Sequence, residues 1–210
     1  MSLDTYRSTI RNEKRQAILK ASLVVFLSQG YQGAGMAEIA RQADVSTATL
    51  YKHFSSKDEL FGAMVEMHVE AYQVRAMSVD DLPSGDPAKC LRLLSEGFVH
   101  LLRDERTVGI FRNIIGEGDR FPVLKEMIYR RGRDPFKQML VEYFASEVGQ
   151  ADLEIADNNK AAEWYIGLLS YWLIFVRVFN SDVKMNEARF EDILGESIAM
   201  FLARYRKATS

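Results

Sequence analysis

Eight consecutive residues, Ser46 to His53 ("STATLYKH"), carry three serine or threonine hydroxyls, a phenol, an ammonium and an imidazole, with one large aliphatic side chain, Leu50. A core helix would hold more apolar groups, and a merely solvated one more charge. With Leu50 turned inward, Thr47, Ala48, Thr49, Tyr51, Lys52 and His53 make up the outer face of a two-turn helix. Their polar groups are short-reach donors, neutral or singly charged, and suit phosphate oxygens and base edges in a major groove. Lys57 follows at the start of the next helix, where its amine and nearby free backbone N–H groups could hold a further phosphate. No other chemistry stands out. No nucleophile–base pair, Gly-rich phosphate loop or zinc spacing is present, so no catalytic residue, metal or cofactor is assigned. His68 and His100 have no partner at metal-ligand spacing and read as surface or core histidines. Cys90 is the single cysteine, so no internal disulfide can form, which favours a reducing compartment.

Positioning such a face takes two short helices at a steep angle. The first needs a small residue at the close approach, the turn needs a residue tolerant of positive φ, and the second needs an apolar residue facing back. Ala40, Asp44 and Leu50 stand at these places, with Ile39, Val45 and Phe54 completing a small core. Ser46 is a candidate N-cap. A helix over Asn12 to Gln29, stopped by Gly30, precedes this pair, and the first helix of the pair spans Met36 to Ala43. Ser56 and Glu59 have capping-box spacing and open a fourth helix expected to fade near Met77, before the turn-rich "SVDDLPSGDP". Beyond that loop, Asp86-Pro87 starts a helix to about Arg103. Further helices are expected from Glu105 to Ile115, from Pro122 with a kink at "RGRDP", from Asn158 to Phe179 and from Asn186 to Lys207. Alternating strand patterns are absent. The chain reads as all-α, with about nine helices, divided into a helix-turn-helix domain over residues 1–57 and a larger helical domain over residues 58–210.

The bulk composition is that of a globular protein, 48% hydrophobic and 27% charged over 210 residues. The charge is unevenly placed. Residues 1–57 carry eight basic and four acidic groups, leaving a net −6 on the remainder of a chain whose net charge is −2. A basic end on an acidic body is the asymmetry expected when one part meets phosphates. Arg7, Arg11, Lys14 and Arg15 form either an arm reaching nucleic acid or a solvated leading turn. The first residues are polar, without the apolar core of a secretory leader, so a cytoplasmic location is expected. The most apolar run, Trp164 to Val176, has thirteen residues, too few to span a bilayer, and is expected to be a buried helix rather than a membrane span.

The stretch "AILKASLVVFLSQGY…MAEIARQADVSTATLYKHFSSKDELF" resembles the DNA-binding domain of the tetracycline-repressor (TetR) family over roughly residues 12–65. Its "TLY-x-HF-x-SK-x-x-LF" segment, Thr49 to Phe61, is the most specific part. The resemblance implies phosphate contacts at Thr49, Tyr51, His53 and Lys57, with Lys52 as a further cation on the same face. It puts Thr47 and Ala48 where bases are met. Three departures stand out. Ala34 and Gly35 replace a Thr-Ser opening of the second helix, Asp44 replaces a turn glycine, and Thr47-Ala48 replace a Lys-Gly pair, so base preference does not transfer.

The stretch "RTVGIFRNIIGEGDRFPVL" and the helices after it resemble the AefR-like type of C-terminal domain in that family. This implies a helical dimerisation and effector-binding body. Phe98, Phe111, Phe121, Trp164, Tyr165, Tyr171, Trp172 and Phe175 are the aromatic candidates for lining a pocket, although most must serve as ordinary core. On the last helix Phe190, Ile193, Leu194, Ser197, Ile198, Phe201 and Tyr205 trace one face and are the candidates for a dimer interface. The preceding helix is apolar almost all round and can face both its own core and a partner. The expected function is a homodimeric DNA-binding transcriptional regulator, a repressor released from its operator by a small apolar or amphipathic ligand. Two alternatives remain: a DNA-binding dimer without an effector, and an all-α ligand-binding protein whose helix-turn-helix is vestigial.

Overall fold

A computed structural model describes residues 3–72, 79–117, 122, 126 and 129–208. The described residues form ten helices and no sheet, with one isolated bridge between Leu153 and Arg206. Met77, Gly118, Phe121 and most of the helix expected to open at Pro122 lie outside the described residues. The chain divides into two compact units, Met1–Ala71 with Gly109–Ile128, and Tyr72–Val108 with Tyr129–Ser210.

In the first unit, α1 spans Leu3–Gly33, α2 Met36–Gln42, α3 Thr47–His53 and α4 Lys57–Glu70. Helix α1 starts well before the expected Asn12. Its polar leading turns carry no apolar stripe to announce them, yet their backbone is helical. Gly30 is in a positive-φ conformation (φ 73, ψ 170), so the break falls where the sequence indicates it, and a last turn continues to Gly33. Helix α4 ends at Glu70, short of the expected Met77. The N–H of Ala71 closes its last turn onto Met67 and Val69. The core gathers Ile18, Leu19, Phe26 and Tyr31 of α1, Ile39 and Ala40 of α2, Leu50 of α3, Phe54, and Leu60, Phe61, Met64 and Val65 of α4. Phe26 stacks on Tyr31 at 5.7 Å and meets Phe61 edge-on at 5.0 Å, an arrangement that adds to the burial of the rings.

Helix α6, Glu105–Glu117, begins in the second unit and continues into the first, where Ile110 and Ile114 join the same core. There the Asn113 amide donates to the carbonyls of Phe26 (3.2 Å) and Gly109 (3.1 Å). Gly116 of the "GEGD" segment lies inside α6, which therefore runs past the expected end at Ile115.

In the second unit, α5 spans Pro87–Arg103 and is capped by Asp86, whose carboxylate accepts from the Lys89 N–H at 3.0 Å. At the α5–α6 corner Asp104 accepts from the N–H (2.8 Å) and guanidinium of Arg106 and from the Tyr72 hydroxyl. Burial pushes the Asp104 carboxyl up, but the bonds from Arg106 and Tyr72 outweigh it and hold the group down at about 2. The kink expected at "RGRDP" is a π-helical turn, Tyr129–Arg133, leading directly into α7, Asp134–Ala145. A short helix, α8 (Glu147–Asp152), was not expected. Ser146 caps it by accepting from the Gly149 N–H at 3.1 Å. Helix α9 runs over Asn158–Phe179 through a π-helical turn at Tyr171–Phe175, and α10 over Glu187–Tyr205.

By length and composition α9 could cross a bilayer. One side of it packs into its own unit through Ala161, Ala162, Tyr165, Leu169, Leu173 and Arg177. Arg177, 2% exposed, donates to the carbonyls of Leu102 (2.6 Å), Leu173 (2.8 Å) and Arg103 (3.1 Å) and pairs with Glu105 at 2.7 Å. It thereby satisfies the carbonyls left open at the end of α5 and in the π turn of α9.

Candidate nucleic-acid interface

The turn between α2 and α3 is built as its residues require. Asp44 has φ 53, its N–H bonds to Arg41 O (3.2 Å), and the Val45 N–H bonds to Ala40 O (3.0 Å), which reverses the chain within three residues. Ser46 caps α3. Its hydroxyl oxygen accepts from the Thr49 N–H at 3.1 Å and lies 2.9 Å from the Thr49 hydroxyl. Leu50 is fully buried, which pins the helix and fixes what faces outward. The start of α2 has no side-chain cap, as the Ala34-Gly35 replacement implies.

The outward set is the one read from sequence. Thr47, Ala48 and Lys52 are exposed, Tyr51 is 53% exposed, and Thr49 and His53 are half-buried. Thr47 and Ala48 lead the helix, while Lys52 and His53 end it. The His53 imidazole is held below its usual range, first by partial burial and then by the charges of Arg11, Arg15 and Lys14 on α1. At neutral pH it is a neutral ring offering one N–H. Arg15 lies over the ring of Phe54 at 5.0 Å, tying α1 to the end of α3.

Lys57 has partners that sequence reasoning missed. Its ammonium donates to the carbonyls of Gln32 (3.1 Å) and Ala34 (2.9 Å) and sits 4.9 Å from the Tyr31 ring centroid. It therefore caps the carboxyl end of α1. The only hint in sequence is that α1 ends without a basic residue in its last turn. Ser56 caps α4 as expected, accepting from the Glu59 N–H at 3.1 Å. The Glu59 carboxylate reaches back to the N–H and hydroxyl of Ser55 instead of Ser56, so the capping box closes one residue early.

The aromatic candidates of the larger body do not gather in one place. Phe111 belongs to the first unit and the others described to the second. Phe98 stacks on Phe136 at 4.3 Å, and Tyr165 is fully buried with its hydroxyl 2.9 Å from that of Ser95. Trp164, Tyr171, Trp172 and Phe175 are exposed, together with Phe179 and with Met200 of α10. Conversely, Phe190, Ile193, Leu194, Ser197, Ile198 and Phe201 are buried within their own chain, and Tyr205 is half-buried. Phe201 stacks on Phe144 at 5.3 Å and meets Tyr165 at 5.2 Å, as core residues do. Among the described residues, the exposed aromatic side chains of the second unit lie mostly on the outer side of α9.

Comparison with known proteins agrees with this geometry. Residues 18–64 match the family described as bacterial regulatory proteins, tetR family, and residues 89–207 match the AefR-like transcriptional repressor, C-terminal domain. The chain is 32% identical over 195 residues to the HTH-type transcriptional regulator AcrR of Shigella flexneri, covering 88% of each. It is 50% identical over 60 residues to the HTH-type transcriptional activator FasR of Mycolicibacterium smegmatis, an alignment that spans 29% of this chain and 27% of that protein. Among solved structures it resembles the Flavonoid-responsive Regulator FrrA, with a TM-score of 0.72 and 25% identity, covering 94% of this chain and all of the other. With a positive-φ turn between two short helices, a polar face held outward by a buried leucine, and family matches over both residues 18–64 and residues 89–207, the chain belongs to the TetR family of DNA-binding transcriptional regulators.

Proposed function

We propose that the chain acts as a homodimeric repressor, with residues 1–57 binding operator DNA and residues 58–210 dimerising and taking up a small apolar or amphipathic effector. The observation that carries this reading is α3, whose polar face is held outward by Leu50 and the Asp44 turn. Thr47 and Ala48 meet base edges, and Thr49, Tyr51, Lys52, His53 and Lys57 meet phosphates. A helix of seven residues covers only a few base pairs, so specificity requires two copies reading half-sites one helical turn or more apart. The exposed aromatic side of α9 supports the pairing surface. Burying rings of this size stabilises association. A DNA-binding protein of this kind works in the cytoplasm.

The repressor reading rests on the AefR-like C-terminal match, and the effector class on the flavonoid-responsive neighbour. Helix α6 has residues in both units, and Ile110, Ile114 and Asn113 bind it into the same core as α1, α2 and α3, which supports it as the element that carries the signal. Selection of bound DNA from a random pool tests the reading. A palindromic consensus supports a dimeric regulator, and no enrichment refutes it. Thermal-shift screening against planar aromatic compounds separates an effector-controlled regulator from a dimer without an effector.

A further inference from the structure

The leading turns of α1 bring three cations together beside α3. Arg11 and Lys14 are exposed and Arg15 is half-buried. The segment is no loose arm: it lies in the helix that starts at Leu3, where the Ser8 and Thr9 hydroxyls donate to Thr5 O at 2.8 and 2.9 Å. The stacking of Arg15 on Phe54 fixes its position against the end of α3. The positive charges of all three lower the affinity of the His53 imidazole for a proton, and that of Arg15 also favours the ionised Glu59 carboxylate.

The pairing of these cations differs from that of several arginines elsewhere in the chain. Arg41, Arg92, Arg103, Arg106 and Arg177 each hold a carboxylate. Among the described residues, Arg11, Lys14 and Arg15 have no acidic partner within 4.0 Å. Arg11 lies three and four residues from the other two, a spacing at which like charges on a helix repel. A solvated turn relieves such repulsion by alternating signs. A surface that awaits polyanion does not, because phosphates supply the missing charge. Thr47 and Ala48 stand at the leading end of α3, and the cations stand at its trailing end, beside His53.

We infer that Arg11, Lys14 and Arg15 form a second phosphate-binding ridge, gripping the DNA backbone that flanks each half-site on the side of His53. The inference rests on the regulator reading above and extends the footprint beyond the helix pair. Because the ridge touches only backbone, it adds affinity and salt dependence without changing base preference.

The test uses the full-length chain, with Arg11→Ala, Lys14→Ala and the double variant. Lys20→Ala, about half a turn round α1 from Arg11, serves as the control. Anisotropy titrations on the selected operator are run over a salt series. Each lost contact lowers the salt slope by about 0.9, and the double variant loses two in each protomer of the dimer, so a fourfold rise in salt weakens it roughly 150-fold less than the wild type. Ethylation interference is expected to lose the outermost phosphates of each half-site, while selection returns the same consensus. Lys20→Ala is expected to match the wild type. A double variant that keeps the wild-type slope and phosphate footprint on an operator the wild type binds overturns the ridge alone. A wild type that selects no DNA overturns both the ridge and the regulator reading.

Discussion

Replacing Lys57 with alanine separates two roles that one residue carries. In the free chain its ammonium makes two charge-assisted hydrogen bonds, to Gln32 O at 3.1 Å and Ala34 O at 2.9 Å, and faces the Tyr31 ring at 4.9 Å. Fully buried bonds of this type contribute about 1.5–3 kcal/mol each. Here the site is half open to water, so about 1 kcal/mol each is appropriate, with about 0.5 kcal/mol from the ring contact. Recovered side-chain freedom offsets part of this, leaving a loss of about 2 kcal/mol. For a chain of this length that lowers the melting temperature by roughly 4–8 °C. Both tryptophans, Trp164 and Trp172, lie in the other unit, so the melt is followed by far-UV circular dichroism and by hydrogen exchange in α1 and α2. Operator binding, measured well below the melt, is expected to lose about one unit of salt slope per protomer, roughly two for the dimer. An unchanged melt would refute the capping role. A lowered melt with an unchanged salt slope would refute the phosphate role and leave Lys57 a purely structural residue.

Arg177→Met is expected to cost about 3–5 kcal/mol in urea denaturation, because it strands the Leu102, Arg103 and Leu173 carbonyls that the guanidinium satisfies; a cost under 1 kcal/mol contradicts this. At Gly149 an added Cβ would lie 2.1 Å from Tyr143 O, a backbone atom that cannot step aside, so Gly149→Ala is expected to destabilise the chain by about 3 kcal/mol or leave it insoluble. His53 is depressed in the free chain, and a phosphate beside it would raise it, so operator binding takes up a proton. Affinity is then expected to rise as pH falls through the window from the bound value to the free value, the latter below about 6.5. In the absence of DNA the sign is opposite, since a depressed imidazole loses stability for the fold as pH drops below its unfolded value. His53→Gln should flatten the affinity profile, and a wild-type profile flat to pH 5.5 would remove His53 from the contact set.

The helix-turn-helix was legible in the sequence because its determinants are local. Ser46 needs only the Thr49 N–H three residues on, Asp44 only a backbone conformation, and Leu50 only its place opposite six polar neighbours. The Asp86, Asp157 and Asn186 caps act over the same short range and mark the starts of α5, α9 and α10. Tertiary structure decided which side of each body helix faces inward. A 3.6-residue apolar period shows that a face will be buried without saying by what. Phe190 to Phe201 thus read as an interface and are core, whereas Trp164, Tyr171, Trp172 and Phe175 read as a pocket and are exposed. On a helix apolar almost all round, periodicity has no phase, and the choice falls to packing with residues such as Phe144 and Ser95, distant in sequence. The same reason hid the capping of α1 by Lys57, some 25 residues downstream, and the entry of Ile110 and Ile114 into the first core. What is fixed within four residues of backbone can be read from a sequence; what depends on which distant side chain fills a given space requires the folded chain.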